Sequence, residues 1–357
     1  MYQVQSLLPT DARWPGFLRA QSRSHFSQAP AYLEFLEECY RYRPRCLGVF
    51  QGGALVGLLP AIERPRIVFG ARAYLSSPFY EYGGWLTEPN LDGPAFVEGV
   101  RDAMKQRRVA RWDVNFNGGC STSINEQLKI VDSVECAELR LGASPEAILK
   151  TLGKAARKAV RRGQNSELVF FRRQSDQQIL RFHDVFKGHM RRRFGTPPFS
   201  RDHFLLLQKH FGALAWLVEV QSDSGESLAY LYGIQQGKRI HLLHTVETEH
   251  NCESLRPADY AHWGLCLLAA EQGAEWIDFG FARYEGQRRF KKKWGCEFSQ
   301  THIYQLQADA AASHPSAFEL PPDLGAKLQD VAAKLWMKLP PTGEEWLGHQ
   351  IRRFLCR

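Results

Sequence analysis

Trp276-Ile-Asp-Phe-Gly-Phe-Ala-Arg-Tyr-Glu-Gly-Gln-Arg-Arg-Phe-Lys-Lys-Lys-Trp-Gly295 decides how the chain is read. Its apolar start, interrupted only by Asp278 and Gly280, predicts a buried strand over 276–281. Gly286 predicts a loop, and 288–294 a cationic segment flanked by Phe290 and Trp294. A carboxylate and a cluster of cations thus arrive at one place, which suits a large anionic ligand. A strand followed by a solvated basic loop fits the same pattern.

A second cationic stretch lies far upstream. Ser144-Pro145-Glu146 opens a helix predicted over about 145–163, with a cap, a proline in the first turn and an early acid. Lys154, Arg157, Lys158, Arg161 and Arg162 follow at i, i+3, i+4, i+7 and i+8, which puts all five on one face. No acid occurs from Lys150 to Gln164. Like charges four apart cost a few tenths of a kcal/mol per pair. A face so uniformly basic either binds an anion or is solvated.

Moving outward, the pattern of elements occurs twice. Helical spacing over 14–43 precedes a hairpin predicted from Leu47 to Ile62. A helix from 94 to 106 then leads into a strand at Trp112–Phe116. Helices over 179–190 and 201–211 precede a hairpin from Trp216 to Gln235. A strand at 239–246 and a helix begun by Arg256-Pro257 then lead to Trp276–Phe281. The order suggests two copies of one α/β unit. Between them 117–137 reads as a polar connection. After 308 comes a linker, then helices at 326–337 and 344–356. The last helix carries Leu347, Ile351, Phe354 and Leu355 on a face opposite Arg352 and Arg353. That face suits packing on a domain or contact with a membrane surface.

Lys and Arg number 46 against 38 acidic residues, a net charge of +8 and a pI near 9.1. Such a balance suits a phosphate-rich ligand. Among 357 residues, 44% are apolar and 12% aromatic, the composition of a folded chain of two domains. None of the eight cysteines falls in a C-x-x-C pair, so zinc-site spacing is missing and no metal is expected. The first residues lack the pattern of a signal peptide, and no apolar run nears the roughly 20 residues that span a bilayer. The expectation is a cytoplasmic protein with reduced thiols.

Several motifs, in order, resemble the FemAB-type transferases. Lys154-Ala-Ala-Arg-Lys-Ala-Val-Arg-Arg-Gly163 resembles their basic helix. Arg256-Pro257, Gly273, Asp278-Phe-Gly280 and Phe290-Lys291-x-x-Trp294-Gly295 are similar to their closing signature. Ser77-Pro-Phe-Tyr-Glu-Tyr-Gly-Gly84 is similar to the loop of their first domain. The resemblance covers about residues 10–307. The tail, Leu335-Trp-Met-Lys-Leu-Pro with Leu347-Gly-His349, resembles a subgroup found with exopolysaccharide and PEP-CTERM protein-sorting systems.

The resemblance implies an α/β (α+β) fold. Two tandem GNAT-like acyltransferase domains, at 1–140 and 141–308, would precede a linker and short helical tail at 309–357. It implies transfer of an aminoacyl or acyl group to an amine of a phosphate-bearing cell-wall or exopolysaccharide precursor, lipid- or nucleotide-linked. No cofactor is expected to be bound. The resemblance implies aminoacyl-tRNA or acetyl/acyl-CoA as co-substrate and a location in the cytoplasm or at the periphery of the inner membrane. The coiled-coil arm that some members insert is missing. Glu253-Ser-Leu-Arg-Pro257 lacks the glycines of the R/Q-x-x-G-x-G/A loop.

Acyl transfer to an amine requires positioning, oxyanion stabilisation and removal of a proton. Asp278, Glu81 and His244 are the proton-relay candidates. Lys154, Arg157, Arg161, Arg256, Arg288, Arg289 and Lys291 are those for phosphate, which arginine forks suit. Tyr82 and Tyr232 are candidates to hydrogen-bond substrate. Each has a structural counterpart: Asp278 as a partner of a cation, His244 as a core histidine, the tyrosines as strand aromatics. Two other readings stay open: an acyl-CoA N-acyltransferase acting on a sugar amine, and a phosphate-ligand binding protein without catalysis.

Overall fold

The computed structural model describes residues 2–64, 72–80, 83–115, 119–194, 196–248, 255–309, 336 and 341–355, without the side chains of 194, 341–344, 354 and 355. In chain order it runs β1 (Gln3–Ser6), α1 (Arg13–Ala20), α2 (Pro30–Tyr40), β2 (Leu47–Gln51), β3 (Ala54–Leu59), β4 (Ile62–Glu63), β5 (Arg72–Leu75) and β6 (Leu86–Thr87). Next come α3 (Gly93–Gln106), β7 (Val109–Asn115), α4 (Thr122–Asn125), β8 (Lys129–Arg140), α5 (Pro145–Thr151), α6 (Lys154–Asn165), β9 (Val169–Arg173), α7 (Asp176–Phe194) and α8 (Arg201–Phe211). The chain closes with β10 (Ala215–Gln221), β11 (Ser227–Gln236), β12 (Arg239–Glu247), α9 (Pro257–Glu271), β13 (Trp276–Phe281), α10 (Glu285–Lys293), β14 (Glu297–Gln307) and α11 (Pro341–Leu355).

Two compact units form. The first holds 1–133, 190–200 and 301–357; the second holds 134–189 and 201–300. In the first, β1-β2-β3-β6 make one sheet, while β4-β5-β7 and the end of β14 pair in another. β5 and β7 are parallel, and the connection between them includes α3. Its core joins Leu47, Val49 and Leu59 to Phe96, Val100, Trp112 and Leu306. Asp92 caps α3, accepting from the Ala95 amide at 3.1 Å. The tail helix α11 packs here. Arg352 Nε donates to Pro197 O at 2.9 Å, its guanidinium lies 3.9 Å over the Phe199 ring, and His349 stacks on Tyr40 at 4.9 Å.

In the second unit the strand order is β8-β13-β12-β11-β10-β9. Among the described residues of this unit only β12 and β13 are parallel, and α9 lies in the crossover that parallel neighbours require. The core lies between this sheet and helices α5, α6 and α9. It includes Leu139, Ile148, Val160, Trp216, Leu231, Ile240, Trp263, Ile277 and Trp294. Both units thus place helices before a hairpin and end on a helix that crosses to a parallel strand, a tandem arrangement.

Three local expectations change. The helix expected over 145–163 is two helices, because Leu152 and Gly153 are extended and the Gly153 amide donates to Lys293 O at 2.9 Å. The loop expected around Gly286 is the helix α10. Its long cationic side chains are good helix formers, and Lys291 supplies a buried face. The connection expected over 117–137 holds α4 and most of β8. The helix expected at 326–337 lies outside the described residues apart from Trp336. Among the described residues no helix is long and apolar enough to cross a membrane.

Candidate active site

Parallel pairing of β12 with β13 lasts three rungs: Arg239↔Trp276, Ile240↔Ile277 and His241↔Asp278. Beyond the third the strands part. Both carry an irregularity at that level. On β12, Tyr232 faces His244 but Gly233 faces Leu242, so Leu243 is an extra residue. On β13, Asp278 faces Glu138 of β8 while Phe281 faces Cys136, leaving two residues opposite one. Bulges bend a strand and raise its twist, and two at one level divide the pair into a V. Glycine makes both feasible. Gly280 has φ +72°, and a Cβ on Gly233 would lie 2.7 Å from His241 O.

The last rung holds a buried histidine and carboxylate. His241 Nδ1 lies 2.8 Å from Asp278 Oδ2, with exposures of 2% and 0%. Asp278 Oδ1 accepts from the Gly280 amide at 2.8 Å, which fixes the carboxylate. A carboxylate can only accept from imidazole Nδ1–H, so the neutral ring has its lone pair on Nε2. This pairing orients a base and stabilises its protonated form. Asp278 was legible in the sequence. His241 was not, because it stands 37 residues away and reaches Asp278 only through strand pairing.

His244 lies on β12 past the first bulge, edge-on to Phe186 at 4.9 Å and Phe204 at 5.6 Å. Tyr232 stacks on Phe182 at 5.5 Å and is fully buried. Its hydroxyl has no hydrogen-bond partner among the described residues, and burial pushes its phenol well up. Glu81 and Tyr82 lie outside the described residues.

Behind the V, α9 contributes His262, a residue the sequence reading missed. Its ring stacks on Phe279 of β13 at 5.4 Å. Nδ1 lies 2.7 Å from Ala258 O, and Nε2 lies 3.5 Å from Thr245 Oγ1 on β12. One imidazole therefore touches both diverging strands. Burial pushes it down to about 4, so it is neutral at physiological pH. A histidine inside an apolar helix face is the only sequence signal it gives.

The basic residues divide by environment. Lys154 and Arg161 project to solvent from α6, while Arg157 Nη1 donates to Leu152 O at 2.7 Å. The opposite face of α6 packs against α9, where a Cβ on Gly163 would lie 2.4 Å from the Tyr260 ring. Helix α10 joins the start of α6 through the Gly153–Lys293 bond. Gly295 has φ +77°, and a Cβ there would lie 2.2 Å from Thr151 O. The two helices that carry the basic stretches are thus neighbours, and Arg289 on α10 is 77% exposed.

Two expected phosphate contacts are otherwise engaged. Lys291 is 6% exposed. Its Nζ donates to Gly280 O at 2.8 Å and to Phe281 O, so it fastens the β13 bulge rather than facing solvent. Arg288 Nε pairs with Glu135 Oε2 at 2.7 Å. Arg256, exposed, is the N-cap of α9 with φ +57°.

Residues 150–292 match the family model described as acetyltransferase (GNAT) domain. No curated protein matches the chain. Among solved structures, FemX is similar with a TM-score of 0.69 at 12% identity, covering 84% of this chain and 96% of its own. The C-terminal domain of a putative lysylphosphatidylglycerol synthetase from Agrobacterium fabrum has a TM-score of 0.53 at 14% identity, over 89% of this chain and 94% of its own. A tandem GNAT protein from the clavulanic acid biosynthesis pathway has a TM-score of 0.53 at 12% identity, over 87% and 100%. Residues 150–292 thus carry a GNAT domain, and the chain shares its two-unit fold with FemX and the tandem GNAT protein.

Proposed function

We propose that this tandem GNAT-like chain is an acyltransferase that forms an amide. It moves an aminoacyl or acyl group onto an amine of a phosphate-bearing cell-wall or exopolysaccharide precursor, at the cytoplasmic side of the cell. The observation that carries the reading is the opening of β12 from β13 directly after the buried His241–Asp278 rung.

The V is a place for the acyl end of the donor, because strands past their last hydrogen-bonded rung leave backbone groups for a ligand to meet. The amine attacks the ester or thioester carbonyl, a C–N bond forms, and the tetrahedral oxyanion collapses with loss of the alkoxide or thiolate. His241 takes the amine's proton, Asp278 stabilises the imidazolium, and the proton passes to the leaving group. Lys154, Arg157, Arg161 and Arg289 supply a cationic surface for phosphate, with Arg256 a further candidate. The name of the lysylphosphatidylglycerol synthetase neighbour favours an aminoacyl donor and a phosphate-bearing acceptor.

The test is mass-resolved transfer of a labelled acyl group to an extract of lipid-linked cell-wall and polysaccharide precursors. Acetyl-CoA and a mixed aminoacyl-tRNA pool are the donors, and an Arg157→Ala, Arg161→Ala double variant runs alongside. A labelled amide that the double variant fails to make supports the reading and its phosphate surface. No product from either donor, with tight salt-sensitive binding of the extract, replaces it with a binding protein.

A further inference from the structure

Two stretches that the proposed function leaves unused meet in the first unit: the loop that begins at Ser77 and the tail helix α11. Backbone strain marks the loop. Ser77 has φ +52° and Phe79 has φ +71°, either side of Pro78. A bulky residue in the left-handed region is an outlier of the kind that gathers at ligand sites. Phe79 lies 4.5 Å from the Tyr40 ring and 5.6 Å from that of Phe199. The tail covers the same two rings: His349 stacks on Tyr40, and one turn later Arg352 lies 3.9 Å over Phe199. Arg352 Nε and Nη2 both donate to Pro197 O, at 2.9 and 2.6 Å. The Nη1–Nη2 edge, the fork that grips phosphate oxygens in pairs, is left without a partner among the described residues. Burial pulls the guanidinium down from the usual arginine range. Among the described residues the Tyr40 and Tyr80 phenols act against that, and no carboxylate does. Taking a cation out of water without a counter-charge is costly, so the site is incomplete without an anion.

We propose that the Arg352 fork, on the tail helix, is an anion site that takes a phosphate of the acceptor and clamps the tail over the Phe79 loop. The inference rests on the proposed function only for the identity of the ligand. A phosphate there supplies the counter-charge that Arg352 lacks. It binds the docked tail and not an undocked one, so it stabilises the docked form. A diphosphate carried by a lipid and one carried by a nucleotide present the same oxygens to the fork. The site lies in the first unit, whereas the α6 and α10 cations belong to the second.

The experiment is calorimetric titration of the full chain with inorganic pyrophosphate, for the wild type, Arg352→Gln and Arg13→Gln. Hydrogen exchange of the α11 amides is followed in parallel. Arg13 is exposed on α1 and paired with Asp11, so its variant removes an equal charge from the same unit without touching the fork. The wild type is expected to bind, and its α11 amides to exchange more slowly with pyrophosphate than without. Arg352→Gln should bind about tenfold or more weakly, with Arg13→Gln unchanged. Competition by uridine diphosphate or by farnesyl diphosphate then tells a nucleotide-borne phosphate from a lipid-borne one, and competition by neither overturns the assignment to the acceptor. No binding by the wild type, binding that leaves α11 exchange unaltered, wild-type affinity in Arg352→Gln, or an equal loss in Arg13→Gln overturns the proposal. The exchange comparison in the wild type does not depend on any variant folding. No transfer reaction is read, so failure here is separate from failure of the acyltransferase reading.

Discussion

The parallel strand pairs of the two units differ at one point. In the first, β5 and β7 pair over four rungs, Arg72↔Val109 to Leu75↔Asp113. The pair is then held shut. The Ser76 amide donates to Asp113 O at 3.0 Å, Trp112 Nε1 donates to Ser76 Oγ at 2.9 Å, and Ser76 Oγ donates to Pro60 O at 3.0 Å. In the second, β12 and β13 pair over three rungs and open, with His241 and Asp278 at the fork. A closed fork held by a serine and a tryptophan is structural. An open fork that buries a carboxylate against an imidazole carries a desolvation cost which packing alone does not require. Two versions of one unit thus differ, one fork tied shut and the other open, and on the proposed function the open one carries the chemistry.

The largest effect that tests this contrast is on the open fork. Asp278→Asn keeps the shape and the Gly280 contact but offers His241 Nδ1 an amide instead of a carboxylate. Transfer is expected to slow roughly 10²–10⁴-fold with folding retained. A single-turnover assay beside a thermal melt measures both, and an unchanged rate removes the dyad from the mechanism.

Next comes the ring that touches both arms of the V. His262 is held at about 4 against an ordinary 6.5, chiefly by burial. Below 6.5 the unfolded chain binds a proton that the folded chain refuses until about 4. Stability from this group is therefore full above pH 6.5 and falls by about 1.4 kcal/mol per unit down to about 4, about 3 kcal/mol in all. Urea unfolding at a series of pH values should show this slope in wild type and lose it in His262→Phe. The same slope in both variants assigns the effect elsewhere.

A smaller effect belongs to the closed fork. Trp112→Phe removes the donor to Ser76 inside a buried network and should cost about 1–3 kcal/mol of stability, leaving transfer unchanged. A fall in kcat at unchanged melting temperature would blur the division of labour. The smallest is at the surface. Arg289 meets Glu285 only at 4.0 Å with both side chains over 70% exposed, so Arg289→Ala should leave the melting temperature within scatter. A weakened, salt-dependent affinity for the precursor extract would still mark it as part of the phosphate surface.

Most elements were legible in order because their signals are local. Pro257 opens α9, Gly273 with φ +77° follows its end, and the apolar run 276–281 is the strand it suggested. The cations of α6 keep to one side because helical spacing alone puts them there. The break at Gly153 was not legible, since its cause is a carbonyl 140 positions away in the chain, that of Lys293. Lys291 looked like the other cations of its run; only the fold turned it inward.

By itself the sequence determined the duplicated α/β plan, the tandem GNAT-like fold and which residues could bear charge. Periodicity, caps and motif order are properties of neighbouring residues. Tertiary structure decided which copy opens and that His241 partners Asp278. Each of these depends on strand register or bulge position. A shift of one residue turns a side chain to the other face, and register is set by contacts among residues distant in the chain.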